Sequence, residues 1–157
     1  MQFFSVHLFI NKSKKEMNVI KNDVAWGARS ELLQAREQEA AVVKELTRMV
    51  KAILSSEGGM RWIGSKTDLL EMLKVVSDKG GIVLDDGRVA SFAGLVERTF
   101  GVFGLRRVTN PYSVVQRASG RKGVRGSSVM DRLRRVMFMM DGCDMGAFWN
   151  TLIIRQV

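Results

Sequence analysis

Residues 106–135 read RRVTNPYSVVQRASGRKGVRGSSVMDRLRR, and this stretch governs the interpretation of the whole chain. It holds nine Lys or Arg side chains against one acid, Asp131, in a chain of 157 residues with a net charge of +9. Asn110 followed by Pro111 is typical of a helix start, because Asn caps free N–H groups and Pro suits the first helical position. Ser128 is suited to cap a second helix. The stretch therefore predicts a short helix, a basic glycine-rich loop and a longer helix.

This concentration of positive charge predicts a polyanionic partner, with duplex DNA as our first expectation. The side chains suited to phosphate or base contact lie at the start of the first predicted helix, along it and on the loop. They are Arg106, Arg107, Asn110, Tyr112, Ser113, Gln116, Arg117, Arg121, Lys122 and Arg125. The last three would place cations against phosphates or in the minor groove. Tyr112 is equally suited to packing inside the domain, and a solvated basic surface is the alternative reading of the whole stretch.

Composition narrows the class of protein. An apolar fraction of 46% is typical of a globular domain. No apolar run is long enough for a transmembrane helix, and residues 1–10 lack the basic start of a signal peptide, so we expect a cytoplasmic protein without membrane contact. With one cysteine, Cys143, and one histidine, His7, we expect no metal site and no cofactor. Residues 64–67, GSKT, resemble the end of a phosphate-binding loop but lack its upstream glycine at the required spacing, so we expect no enzyme.

The clearest helical pattern covers residues 30–56, where neither Gly nor Pro occurs. Ser30 is the predicted N-cap. Apolar residues recur there at spacings of three and four: Leu32, Ala35, Val42, Leu46, Met49 and Ile53. Further apolar positions widen the stripe, which favours packing against several helices over a two-stranded coiled coil. A homo-oligomer through helix 30–56 remains a possible partner arrangement. Gly58 and Gly59 end the helix and predict a domain boundary.

Shorter elements are predicted on both sides of this helix. Residues 1–10 are predicted as a short strand or an apolar lead-in, and residues 11–29 as mixed and polar. The later elements are a helix at 66–79 capped by Ser65, a strand at 82–84, a turn at 85–87 and a helix at 91–100 capped by Ser91. A Met-rich apolar tail is predicted at 138–157. Its methionines would fill the core, and Asp144 would cap its last helical turns. Phe92, Leu95, Val96 and Phe100 have the spacing of one buried helix face.

The order of elements is close to that of a winged helix-turn-helix domain: helix, strand, helix, recognition helix and wing. The recognition helix would be residues 111–118. The fold class we predict is mainly α, with a winged helix-turn-helix-like domain preceded by a long amphipathic helix. The predicted parts are an N-terminal segment at 1–57, a DNA-binding domain at 58–141 and an apolar tail at 142–157.

A family resemblance points the same way. Residues 62–71 read WIGSKTDLLE, and they are followed by Gly-Ile at 81–82, a helix ending in Phe100, and an Arg-Lys pair before a capped basic helix that ends at Met140-Asp141. These features, over about residues 60–141, resemble the C-terminal domain of RteC-type regulators of Bacteroides conjugative transposons. The resemblance implies a winged-helix transcription regulator of element excision or transfer genes, with DNA contacts on helix 110–118 and the flanking arginines.

Two other functions remain open. The same basic face would suit an RNA-binding or conjugation accessory protein, although the stretch has one aromatic residue, Tyr112, and stacking on single strands needs more. A helical protein-interaction module built on residues 30–56 is the third reading. Self-association that survives deletion of residues 58–157 would identify it.

Overall fold

The computed structural model describes residues 3–120, 127–142 and 144–155, with side chains described from residue 26 onward. The protein is mainly helical, as predicted. The described elements are α1 (Phe3–Leu54), β1 (Met60–Trp62), α2 (Lys66–Val75), α3 (Phe92–Val102), α4 (Pro111–Gly120), α5 (Val129–Phe138), α6 (Met145–Asn150) and β2 (Ile153–Arg155).

Helix α1 is much longer than predicted. It runs from Phe3 to Leu54, so Ser30 lies inside it and is not an N-cap. The predictions of a strand or lead-in at residues 1–10, and of a mixed polar segment after it, were therefore wrong for the residues from Phe3 onward. The physical reason is that residues 11–29 contain no proline and one glycine, Gly27, which costs a helix only about 1 kcal/mol.

The chain divides into two compact units, residues 1–37 and residues 38–157. The predicted boundary at Gly58 and Gly59 differs from this division. In the second unit four apolar side chains of α1 are completely buried: Val42, Leu46, Val50 and Ile53. They belong to one core with α2, α3 and α5, so this part of α1 is a structural element of the 38–157 unit.

Four of the predicted caps, unlike Ser30, are confirmed in this part of the chain. Ser65 Oγ accepts a hydrogen bond from the Asp68 N–H at 3.0 Å, and Ser91 Oγ accepts one from Gly94 at 3.2 Å. Ser128 Oγ accepts from the Asp131 N–H at 3.1 Å, and Asp144 Oδ1 accepts from Gly146 at 2.8 Å. A cap satisfies orphan N–H groups within three residues of itself, so its signal is local and readable in the sequence.

Two of the middle elements end differently from the prediction. Helix α2 stops at Val75 and continues as a single π-helical turn, Val76–Gly80. A Cβ at Gly80 would collide with the hydroxyl of Thr47, so the turn brings a bare backbone against α1. The strand predicted at 82–84 is reduced to an isolated bridge between Val83 and Val89 around the turn, with the Leu84 N–H bonding to Arg88 O at 2.8 Å.

The C-terminal segment closes the unit. Strand β2 pairs antiparallel with β1, with Trp62 opposite Ile153, a pairing that the sequence did not predict. Gly64 allows the close approach, because a Cβ there would lie 2.7 Å from Leu152 Cδ2. Residues 144–155 are therefore integral to the 38–157 unit.

A hydrogen bond ties α6 to α1. The indole N–H of Trp149 donates to Glu45 Oε1 at 2.9 Å, and the Arg48 guanidinium binds the same carboxylate at 2.7 Å. The hydrogen bond from Arg48 is the main cause that lowers the pKa of Glu45, and the Trp149 bond adds to it against the opposing effect of burial.

The predicted apolar face of α3 is buried, with Phe92, Leu95, Val96 and Phe100 all in the core. The prediction that the tail methionines fill the core was wrong for Met139 and Met140, which are exposed. They come directly after α5 ends at Phe138, so they lie beyond its packed turns.

Candidate nucleic-acid interface

Helix α4 begins as its sequence predicts. Asn110 Oδ1 accepts a hydrogen bond from the Ser113 N–H at 3.1 Å, and Ser113 Oγ donates to Asn110 O at 3.0 Å. Two predicted contact residues therefore spend part of their hydrogen-bonding capacity on the helix start. The Asn110 amide nitrogen and the lone pairs of Ser113 Oγ are left for a partner.

One side of α4 faces solvent along its whole length. Val114, Val115 and Ala118 are half-buried, whereas Gln116 and Arg117 are exposed, and no residue of the helix is fully buried. The helix packs mainly on α2. Because Arg117 Nε donates to Ser113 O at 3.2 Å, its guanidinium lies along the helix toward the N-terminus, with both terminal nitrogens available.

Tyr112 combines the two roles considered for it. Its ring meets Phe92 edge to face, with centroids 4.9 Å apart, while 53% of the side chain stays exposed. The ring thus fixes the first turn of α4 on α3. The exposed half remains suited to a phosphate contact.

The link between α3 and α4 positions the first predicted contacts. Gly104 adopts a φ of +61° and the Leu105 N–H bonds to Phe100 O at 2.8 Å, which is the glycine cap of a helix C-terminus. Phe103 is buried against Trp62, with ring centroids 5.7 Å apart. The chain is anchored on this side before Arg106 emerges exposed.

Arg107 is also exposed, and it forms an ion pair with Glu97 of α3. Both side chains are more than half exposed, so the pair contributes little stability and does not prevent Arg107 from meeting a phosphate. The same two residues border an open, mostly apolar cleft of about 170 Å³ between α3 and the start of α4. Pockets for small molecules usually measure roughly 300–1,000 Å³, so we assign no ligand to it.

The basic residues of α5 behave differently from those of α4. Arg132 Nη2 lies 2.8 Å from Asp68 Oδ1, at the start of α2. Arg134 lies 4.0 Å from Asp131 and also helps lower the pKa of Glu39, although Lys79 is the main cause of that shift. Arg135 is exposed. Two of the three arginines of α5 therefore have acidic neighbours inside their own domain.

Arg121, Lys122 and Arg125 lie outside the described residues. The described chain on both sides of them is helical, with α4 ending at Gly120 and α5 beginning at Val129. The described residues next to 121–126 therefore do not form the pair of strands that flanks a wing.

An exposed arginine on α3, Arg98, was not among the predicted contacts. It lies outside the basic stretch, and an isolated charge carries no distinguishing signal in the sequence. Among the described residues, no group of three or more His, Cys, Asp or Glu side chains is placed to hold a metal ion. No described helix is long and apolar enough to cross a membrane.

Comparisons of the chain with protein families, with curated proteins and with solved structures found no match.

Proposed function

We propose that the protein binds duplex DNA through α4 and the basic loop that follows it, and that it regulates transcription. One observation carries the proposal. The most basic stretch of the chain presents a helix whose outer side is polar and exposed, with Gln116 and Arg117 on it and Arg106 just before it. In the part of the chain that the structure describes, Arg106 and Arg117 have no acidic partner.

The proposed mode of contact follows from the shape of a helix. The major groove of B-DNA admits an α-helix, whose exposed side chains then reach the base edges. Gln116 would bond adenine and Arg117 guanine, since these side chains form bidentate pairs with those bases. Arg106 and Arg107 would bind phosphates beside the helix start. Attraction to the phosphates supplies most of the affinity, and the base contacts supply the specificity.

The loop at 121–126 would act as a basic arm. Arg121, Lys122 and Arg125 would bind phosphates or enter the minor groove next to α4. This role resembles that of a wing and needs no flanking strands, so it is compatible with the helices on either side.

The same residues favour one form of nucleic acid. A-form RNA has a deep, narrow major groove that side chains do not read, and single strands are held by stacking on several aromatic rings. The basic stretch has Tyr112 alone, and its ring is already packed on Phe92. Duplex DNA is therefore the favoured partner. The more specific role in mobile-element excision or transfer rests on the resemblance to RteC-type regulators and not on the geometry.

The test is a salt titration of binding to duplex DNA, duplex RNA and single-stranded DNA. For a duplex DNA binder we expect the logarithm of affinity to fall with the logarithm of salt by about 0.9 per phosphate contact. Arg106→Ala should reduce that slope by about one unit. The matched control is Arg61→Ala, which removes an exposed arginine from β1, outside the basic stretch.

Tightest binding to duplex RNA or to a single strand would reject the duplex DNA proposal. Equal effects of Arg106→Ala and Arg61→Ala would show that the attraction depends on net charge and not on this surface.

A further inference from the structure

The first unit of the chain carries an uncovered apolar surface. All twelve residues whose burial is described in it, 26–37, are exposed. Three of them are large and apolar: Trp26 is 69% exposed, Leu32 57% and Leu33 51%. A helix with apolar residues of this size usually places them against another element.

This surface is distinct from the apolar stripe farther along α1. Val42, Leu46, Val50 and Ile53 are completely buried in the core of the 38–157 unit, so they cannot meet a second molecule without unfolding it. An oligomer through the whole predicted helix 30–56 is therefore not available. Among the described side chains of α1, the large apolar residues that remain exposed are Trp26, Leu32 and Leu33, all within 26–37.

On one side of this segment, two opposite charges stand at equal distances before and after Leu33. Trp26, Arg29, Leu33 and Glu37 are spaced by three, four and four positions. At about 100° per residue they lie within an arc of about 80° on the helix surface. Arg29 and Glu37 stand four residues before and four residues after Leu33, so reversing the direction of the segment exchanges a positive charge for a negative one.

We propose that residues 26–37 pair antiparallel with the same segment of a second copy of this chain. Leu33 would lie on the two-fold axis against Leu33 of the second copy. Arg29 of each copy would face Glu37 of the other, giving two identical ion pairs, as a two-fold interface requires. Parallel pairing would instead place like charges opposite each other, which is unfavourable.

Trp26 extends the contact beyond the ion pairs. Its ring lies 6.0 Å from the Arg29 guanidinium, close enough for a cation–π contact that holds the arginine on this side of the helix. A segment of twelve residues spans only about 18 Å, so the interface is small. The dimer is therefore weak and depends on protein concentration.

The test is sedimentation velocity on the full chain without nucleic acid, from about 1 to about 200 µM, where an interface of this size should associate. We expect a reversible dimer. Arg29→Glu and Glu37→Arg should each raise the dissociation constant by about tenfold, because each creates two like-charge pairs. The double variant, Arg29→Glu with Glu37→Arg, should return it to within about threefold of the wild type, because the charges are opposite again.

The control is Glu31→Arg, which changes the charge equally at a position nearly opposite on the helix. Circular dichroism verifies that each variant remains helical. A chain that stays monomeric overturns the proposal. A dimer that resists both single reversals, or that is not restored in the double variant, overturns it as well.

Cross-linking tests the geometry directly. With Cys143→Ser as background, Leu33→Cys should form an intermolecular disulfide on mild oxidation, because it lies on the two-fold axis. Glu31→Cys should not. Equal cross-linking of the two cysteines would show random collision and would reject the antiparallel pairing.

Discussion

Helices α4 and α5 lie in the same basic stretch, yet they have opposite roles in the structure. Helix α5 buries Val129 and Leu133 completely, and its Arg132 lies against Asp68. Helix α4 buries no residue completely and exposes Arg117. The comparison teaches that a count of charges does not say which charges are available to a partner. Availability depends on whether the neighbouring side chains anchor the helix in the core.

We expect the largest difference between α5 and α4 in how much their side chains contribute to the free energy of unfolding. Leu133→Ala should lower the free energy of unfolding by about 3 kcal/mol, because it removes a fully buried side chain and leaves a cavity. Urea denaturation measures the effect. The matched pair is Val129→Ala in α5 and Val115→Ala in α4. The first should cost about 2 kcal/mol and the second less than about 1 kcal/mol, since Val115 is only half-buried. Equal losses would remove the distinction between the two helices.

For DNA binding we expect substitutions in α4 to have larger effects than substitutions in α5. Gln116→Ala and Arg117→Ala in α4 should each narrow the gap between specific and random DNA by roughly 1–3 kcal/mol per base contact, while stability stays nearly unchanged. Competition titrations against a selected site and a random duplex measure this gap. Arg132→Ala in α5 is the control, and we expect it to leave the gap intact. A larger loss of specificity in Arg132→Ala than in Arg117→Ala would indicate that α5, and not α4, contacts the bases.

The ion pair between Arg132 and Asp68 should contribute a coupling energy of about 0.5–1 kcal/mol, because both side chains are only partly exposed. A double-mutant cycle with Asp68→Ala and Arg132→Ala, followed by urea denaturation, measures it. The same cycle with Glu97 and Arg107, a more exposed pair, should give less than about 0.5 kcal/mol. A stronger coupling in the more exposed pair would show that burial does not determine how strongly these arginines bind their acidic neighbours.

A further small effect concerns α6, which packs on α5 and is tied to Glu45 of α1 by Trp149. Arg48 and Trp149 lower the pKa of Glu45 in the folded protein. A lowered pKa means that the ionised carboxylate favours folding above its unfolded pKa of about 4.3, and that this contribution is lost as pH falls through the lower folded pKa. Glu45→Gln should therefore reduce stability at pH 7 by less than about 1 kcal/mol. The difference from wild type should shrink on acidification, as urea melts at several pH values would show. A constant difference would mean that Glu45 titrates alike in both states.

Local signals in the sequence predicted the starts of α2 to α6 correctly, whereas the start predicted at Ser30 was wrong. Ser65, Ser91, Asn110, Ser128 and Asp144 each cap a helix through an N–H group two or three residues away. The sequence missed the true extent of α1, because an amphipathic pattern reports where a helix is buried and not where it begins. It also missed the pairing of β1 with β2, since neither three-residue strand has a periodic signal of its own.

The candidate site divides in the same way. The basic stretch, the capped start of α4 and the composition of its outer side follow from neighbouring residues, so the sequence alone determined them. Only the tertiary structure decided that Arg132 meets Asp68, that Tyr112 packs on Phe92 and that Trp149 reaches Glu45. Those contacts join residues far apart in the chain, up to 104 positions for the last. Such contacts depend on how whole helices pack, and no local pattern of residues specifies that packing.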